Sequence, residues 1–159
     1  MTTLPTVLIT GASSGIGATY AERFARCGHD LVLVARNKSR LDALAMRLRE
    51  QHQIAVEVLH TDLTNSAELP ALETRLRHDA RIGILINNAG MPQSGHFLEQ
   101  SPEAIESQIA LNITALTRLA AAIAPRLAQS GTGSIVNIGS VVGFSPEFGI
   151  SLYGATKAY

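Results

Sequence analysis

The 159-residue sequence has one cysteine, no tryptophan and only 4% aromatic residues. A lone cysteine excludes an intramolecular disulfide and any cysteine-based metal cluster. None of the five histidines pairs at metal-ligand spacing, so no catalytic metal is expected. Charge is also scarce. Charged residues make up 16% of the chain, against about 25% in typical domains. Thirteen basic residues cancel thirteen acidic ones. Without a positive excess, the chain lacks the footprint of a nucleic-acid binder and the basic face of a membrane-surface helix. Continuous apolar runs are short, as at 31–35 and 119–124, where a membrane-spanning helix needs about 20 residues. The first six residues place no basic region ahead of an apolar run, so a secretory signal is not expected there and the cytoplasm is the expected compartment. A hydrophobic fraction of 46% is the opposite of a disordered composition.

Strand and helix patterns alternate along the chain. Residues 7–10 form a short β-branched apolar run that ends at a glycine. Residues 15–27 are helical by spacing, with Ile16, Tyr20 and Phe24 four apart and Gly28 at the C-cap. Residues 31–35 (LVLVA) are apolar throughout, as a strand covered on both faces should be. A helix over 38–52 places Leu41, Leu44, Ala45 and Leu48 on one side. A third strand is expected at 54–59, a helix between 66 and 78 with Pro70 near its start, and a fourth strand at 82–87. Ser101, Pro102 and Glu103 spell an N-cap, a first-position proline and a first-turn acid. They open a long helix that reaches toward Gln129, with Pro125 expected to kink or divide it. A fifth strand begins at 133–138, and a last helix starts at Ser151. Repeated strand–helix–strand units predict an α/β fold, a doubly wound parallel sheet with helices on both faces. Ligands in such sheets bind beyond the C-terminal strand ends.

The residues after each strand are therefore the informative ones. Gly11, Ser13, Ser14, Gly15, Ile16 and Gly17 follow the first strand and open a helix. Glycines there permit a tight turn and a close backbone approach to a pyrophosphate above a positive helix end. The spacing is G-x-x-x-G-x-G rather than G-x-G-x-x-G. The second strand ends in Ala35, Arg36, Asn37 and Lys38, with no carboxylate to hold a ribose 2′-hydroxyl. A guanidinium there can hold a 2′-phosphate bidentately, which favours NADP (NADPH) over NAD. The third strand runs into Asp62 and Leu63; Asp62 can accept from an adenine amino group or cap the next turn. The fourth runs into Asn87, Asn88, Ala89 and Gly90, whose amides can hold the cofactor ribose or brace the sheet.

Two features carry chemistry. Ile105, Ile109, Asn112, Leu116, Leu119 and Ile123 form one apolar stripe with a single amide in it. That amide is either satisfied structurally or holds a group the chemistry uses. Ser140 ends the fifth strand, and thirteen residues later Tyr153 and Lys157 share a helix face at i and i+4. A free tyrosine hydroxyl titrates near ~10, and a cation about 4 Å away supplies the few kcal/mol needed for acid–base work near neutrality.

Taken in order, Thr10 to Gly17, Asp62, Asn87 to Gly90, Asn112, Ser140, Tyr153 and Lys157 resemble the short-chain dehydrogenase/reductase family in its non-extended branch. The resemblance implies a single NAD(P)-binding Rossmann domain over 1–159 and a carbonyl–alcohol interconversion by hydride transfer. It implies Asn112, Ser140, Tyr153 and Lys157 as the catalytic set. Tyr153 would be the general acid or base, and Lys157 would bind the nicotinamide ribose and lower the tyrosine pKa. Ser140 would orient the carbonyl, and Asn112 would hold a relay water. Gly11, Ser13, Ser14, Gly15, Ile16 and Gly17 would line phosphates and ribose, with Arg36 at the 2′-phosphate. Asp62 and Leu63 would lie at adenine, and Asn88, Ala89 and Gly90 at the ribose. The family's domain continues past Tyr159. Two further strands, the rest of the catalytic helix and the substrate cover are thus expected outside this chain, as is homo-oligomer packing through the long and catalytic helices. The alternatives are a non-catalytic NADP-binding regulatory protein, an inactive fragment, or an epimerase or dehydratase.

Other residues read as structural. His29, His52 and His78 fall at or just past helix C-termini, where an imidazole suits the dipole. His60 is structural, and His96 is a candidate for the substrate side. Cys27, before the C-cap glycine, reads as a small buried hydrophobe. Met91, Gln93 and Phe97, with Val142, Phe144, Phe148 and Ile150, suggest a largely apolar small-molecule substrate.

Overall fold

In the computed structural model, residues 4–92, 97–145 and 151–159 are described, with Ser151 as backbone only. Five strands form one parallel sheet: β1 (Thr6–Thr10), β2 (Leu31–Ala35), β3 (Val56–His60), β4 (Ile82–Asn87) and β5 (Ser134–Asn137), in the order β3-β2-β1-β4-β5. The chain leaves β1 toward β2 and β3 on one side and returns to place β4 and β5 on the other. The switch in strand order thus falls between β1 and β4.

Alternation along the central strands divides the core in two. Val7, Ile9, Leu31 and Leu33 pack against α1 (Gly15–Arg26) and α2 (Lys38–His52) through Ala21, Ala25, Leu41 and Leu48. Leu8, Val32, Leu85 and Ile82 face α3 (Leu69–His78) and α5 (Leu116–Ser130) through Leu72, Leu76, Leu119 and Ile123. Both faces of β1 and β2 are covered, so every position of both strands is buried; β2 and the Val7–Ile9 centre of β1 are accordingly apolar without alternation.

The bounds of β2, α2 and β4 match the sequence pattern. β3 starts at Val56, two residues later than the apolar run suggests; Ile54 still packs on the core from outside the ladder. Ser101 caps α4 (Pro102–Ile109) as expected, its Oγ accepting from the Ala104 N–H at 3.2 Å. The expected break at Pro125 is absent: α5 runs through it. Both Ala121, which would have received the missing bond, and Pro125 are exposed, so water can serve the freed carbonyl.

The irregularity lies earlier. Ala110–Ala115 is a π-helical segment joining α4 to α5. Its wider turn shifts the phase of the buried stripe. Gln108 is buried in place of Ile109, which is exposed, and Ala115 is buried in place of Leu116. The joined helix, Pro102–Ser130, contains an 18-residue window with a mean hydropathy of 1.2, long and apolar enough to cross a membrane by length and composition. Here its inner side is packed on β4 and α3.

Cys27 is exposed, contrary to expectation, because it follows the last turn of α1. His29 closes α1 through its backbone, the N–H donating to the Phe24 carbonyl at 3.1 Å, while its ring turns away from the helix end: Nδ1 lies 2.7 Å from the Pro5 carbonyl and the ring meets Phe24 edge-on. His52 ends α2 but pairs with Glu22 of α1 at 2.9 Å.

Candidate active site

The site is built on β1 and β4, the two strands at the switch. The buried Thr10 hydroxyl donates to the Ile86 carbonyl (3.3 Å) and accepts from the Asn88 and Ala89 N–H groups (3.0 Å each). One hydroxyl thus ties the end of β1 to the loop leaving β4. Asn88 Nδ2 donates back to the carbonyls of Thr10 (2.9 Å) and Gly11 (3.2 Å). Of the two readings open for Asn88, the brace is satisfied in full by this amide nitrogen. Asn87 donates to the Leu116 carbonyl (3.3 Å) and to Asn137 Oδ1 (3.0 Å), linking β4 to α5 and β5.

Two glycines make this closeness possible. Gly11 has φ +65°, and a Cβ there would lie 2.9 Å from the Ala89 Cα. A Cβ on Gly17 would fall 2.4 Å from the Gly11 carbonyl oxygen and 2.5 Å from Asn88 Nδ2. The turn can therefore fold down on the helix only with glycine at both positions. Ser14 sits at the N-cap of α1 and makes no side-chain cap bond. The first-turn N–H groups keep their donors for a ligand, and the positive helix end favours an anionic one.

At the end of β2 the Arg36 side chain is 63% exposed, with its guanidinium 4.0 Å from the Asp62 carboxylate. Asn37 is spent on α2, its Oδ1 accepting from the Arg40 N–H at 3.0 Å. Asp62 makes a turn: Oδ1 accepts from the Thr64 N–H (2.9 Å) and hydroxyl (2.7 Å). Burial opposes its charge, but the Thr64 bonds and Arg36 outweigh it and hold the carboxyl below its ordinary pKa. The turn role is thus visible in Asp62, and the residue also lines the cleft.

On the other side stands α6 (Ser151–Ala158). Lys157 Nζ donates to the Ile138 carbonyl at 2.8 Å and lies 5.9 Å from the centre of the Tyr153 ring. Burial lowers the Lys157 pKa. Ser140 opens a short 3-10 turn, Val141–Gly143, with Oγ 3.4 Å from the Val142 N–H. Asn112 lies behind the cleft. Its Oδ1 accepts from the Met91 N–H (3.0 Å), and its Nδ2 donates to the Met91 carbonyl (3.1 Å) and the Thr156 hydroxyl (3.0 Å).

A cleft of about 790 Å³ runs across the strand ends. It takes in Ser140, Tyr153, Lys157 and every expected cofactor residue except Gly15 and Gly17. Gly17 packs beneath the turn instead. The sequence reading missed Thr61, Asn37, Leu111 and Ile138 on the lining. Thr61 and Asn37 adjoin strand ends, which is a usable signal. Ile138 contributes a carbonyl, which no side chain announces. Gln93, His96, Phe148 and Ile150 lie outside the described residues. Among the described residues no cluster of three metal-ligating side chains occurs.

A parallel sheet with a glycine-lined cleft at its switch point, and with serine, tyrosine and lysine on one wall, defines the class as a Rossmann-type nucleotide fold with a dehydrogenase-like wall. The family model for short chain dehydrogenase matches residues 5–159, and the chain belongs to that family. A short-chain dehydrogenase from Sphingobium yanoikuyae, solved in complex with NADPH, is 76% identical, with a TM-score of 0.96 over 98% of this chain and 61% of that one. The bulky-bulky ketone specific alcohol dehydrogenase from Comamonas testosteroni is 65% identical, with a TM-score of 0.97 over 99% of this chain and 63% of that one. The sulfoacetaldehyde reductase of Chromohalobacter salexigens is 40% identical over 162 residues, 96% of this chain and 61% of that protein. The chain spans less than two thirds of the length of each of these relatives.

Proposed function

We propose that this chain carries the nucleotide site and the proton-transfer residues of an NADP(H)-dependent oxidoreductase that interconverts a carbonyl and a secondary alcohol. The observation that carries this reading is the single cleft in which the glycine turn, Arg36 and the Ser140–Tyr153–Lys157 wall meet. The residues fit a dinucleotide. The α1 start is uncapped, Gly11 and Gly17 let the turn close on the helix and on the loop after β4, and Arg36 is the exposed cation where a 2′-phosphate would lie. Gly11, Ser13, Ser14, Ile16, Asn88, Ala89 and Gly90 would hold phosphates and ribose, with Asp62 and Leu63 at the adenine; Gly15 and Gly17 shape the turn. When bound, the nicotinamide supplies or takes the hydride.

The chain's own residues handle the proton. Tyr153 gives its hydroxyl proton to the carbonyl oxygen in reduction and takes it back in oxidation. Lys157, fixed by Ile138, holds positive charge beside the ring and favours the tyrosinate. Ser140 Oγ donates to the substrate oxygen and so orients it. Asn112 Oδ1 accepts from the Met91 N–H and has capacity for a second bond, and a Cβ on Gly90 would lie 3.3 Å from both this oxygen and Lys157 Nζ, which supports a relay water there. Phe97, Val141 and Phe144 are exposed on the loops that leave β4 and β5, which supports a largely apolar carbonyl substrate. The ketone specificity of the Comamonas enzyme points the same way. A cytoplasmic homo-oligomer belongs to the same proposal.

The deciding variant is Tyr153→Phe. It should lower turnover of a ketone panel by at least ~100-fold while NADPH still binds. Near-normal turnover would refute the proton role, and tight NADPH binding by a protein that turns over no carbonyl would favour a regulatory binder. For the cofactor, Arg36→Asp should move the affinity ratio from NADPH toward NADH; an unchanged ratio would remove Arg36 from the phosphate site.

A further inference from the structure

Tyr153 and Lys157 serve one cleft only if α6 is held at one rotation and one height against the sheet. Thr156 stands between them in the chain and does not line the cleft. It is 4% exposed, and its hydroxyl is used twice. It donates to the Tyr153 carbonyl (2.9 Å) and accepts from Asn112 Nδ2 (3.0 Å). The first bond is an ordinary local one for a helical threonine. The second is not local, since it crosses 44 residues to the π-helical segment.

Asn112 is itself immobilised by both polar groups of Met91, and Gln108 Nε2 donates to the same Met91 carbonyl (3.2 Å). A continuous path therefore runs from the loop after β4, through Asn112 and Thr156, to the backbone of Tyr153. The serine-bearing turn depends on the same placement. A Cβ on Gly143 would lie 2.7 Å from the Lys157 carbonyl oxygen, and one on Gly154 would lie 3.2 Å from the Val142 carbonyl oxygen. The turn and α6 thus touch backbone to backbone, so a shift of α6 moves Tyr153 relative to Ser140.

We propose that Thr156 is a positioning residue: its hydroxyl locks α6 onto Asn112 and so sets the distance between Tyr153 and Ser140. This rests on the proposed proton role of Tyr153. Thr156→Val keeps the shape, removes the hydroxyl and leaves a buried amide proton of Asn112 without its partner. It should lower kcat by ~10- to 100-fold, the scale expected of a small misplacement, with the Kd for NADPH changed by less than about 3-fold. Thr156→Ser, which keeps the hydroxyl, should recover most of the lost kcat. Amide exchange across α6 should quicken in the valine variant and return in the serine variant, a readout that needs no turnover. Thr156→Ala takes the place of valine if that variant does not fold. A valine variant with wild-type kcat and wild-type exchange would overturn the inference, as would a serine variant no better than valine. Tyr153→Phe measured alongside separates the two claims. Full turnover there sinks the proton role, whereas an inactive phenylalanine variant beside a normal valine variant sinks only the role of Thr156.

Discussion

β1 and β5 each end in a loop that lines the cleft, yet they are held in different ways. β1 is central, and all five of its residues are buried between two helical layers. β5 is the outer strand of the described sheet, and none of its four residues is buried. The loop after β1 is fixed by packing and by the three hydrogen bonds of the Thr10 hydroxyl. The wall after β5 is fixed by backbone contact between the turn and α6 and by single side-chain links: Asn87 to Asn137, Lys157 to Ile138, and Thr156 to Asn112. The side of the cleft that carries the glycine turn is therefore held by burial, and the side that carries Ser140, Tyr153 and Lys157 by polar links and backbone contacts at a half-exposed edge.

Substitutions that add or remove one group on each side put this contrast to the test. The largest effect is expected at Gly17. Gly17→Ala forces a methyl against the Gly11 carbonyl and Asn88 and should cost ~3 kcal/mol while abolishing NADPH binding, read by thermal melting with and without the nucleotide. The matching change after β5, Gly139→Ala, meets nothing within 4 Å and should leave the Tm almost unmoved; an equal loss at both sites would erase the contrast. Next comes Thr10→Val, which strips the acceptor from two N–H groups. At ~1–3 kcal/mol for each orphaned group, the denaturant midpoint should fall clearly.

A smaller effect is expected from Glu73, buried on α3. Bonding to Arg118, against the cost of burial and with help from Arg77, holds its carboxyl below the ordinary value. The unfolded chain then binds more protons than the folded one on the acid side. The contribution is full above about 4.5 and is lost as pH falls through the folded value. Glu73→Gln should therefore flatten the acid limb of stability measured from neutral pH downward. Smallest is Asn137→Ala, which removes one acceptor of Asn87 while the Leu116 carbonyl remains; about 1 kcal/mol is expected.

The same contrast explains what the sequence made legible. β2, α2 and the Ser101 cap follow from periodicity and local capping, which act within one element. The glycine turn, Ser140, Tyr153 and Lys157 are marked by residue type and by their place after strands. The π-helical shift was hidden, because the stripe containing Ile109 and Asn112 fits an undisturbed α-helix equally well. Only packing shows that Gln108, not Ile109, is buried. The partners of the Thr10 and Asn88 side chains, and the Asn112 partner of Thr156, lie 44 or more residues away, and no local pattern encodes such bonds.

The central claim, that the cleft lined by Gly11 and Arg36 takes a 2′-phosphorylated nicotinamide nucleotide, is tested most directly by calorimetric titration of the protein with NADPH and with NADH. NADPH binding more tightly than NADH, with the difference lost in Arg36→Asp, is the expected result. Absence of binding by either nucleotide to a folded protein would contradict it.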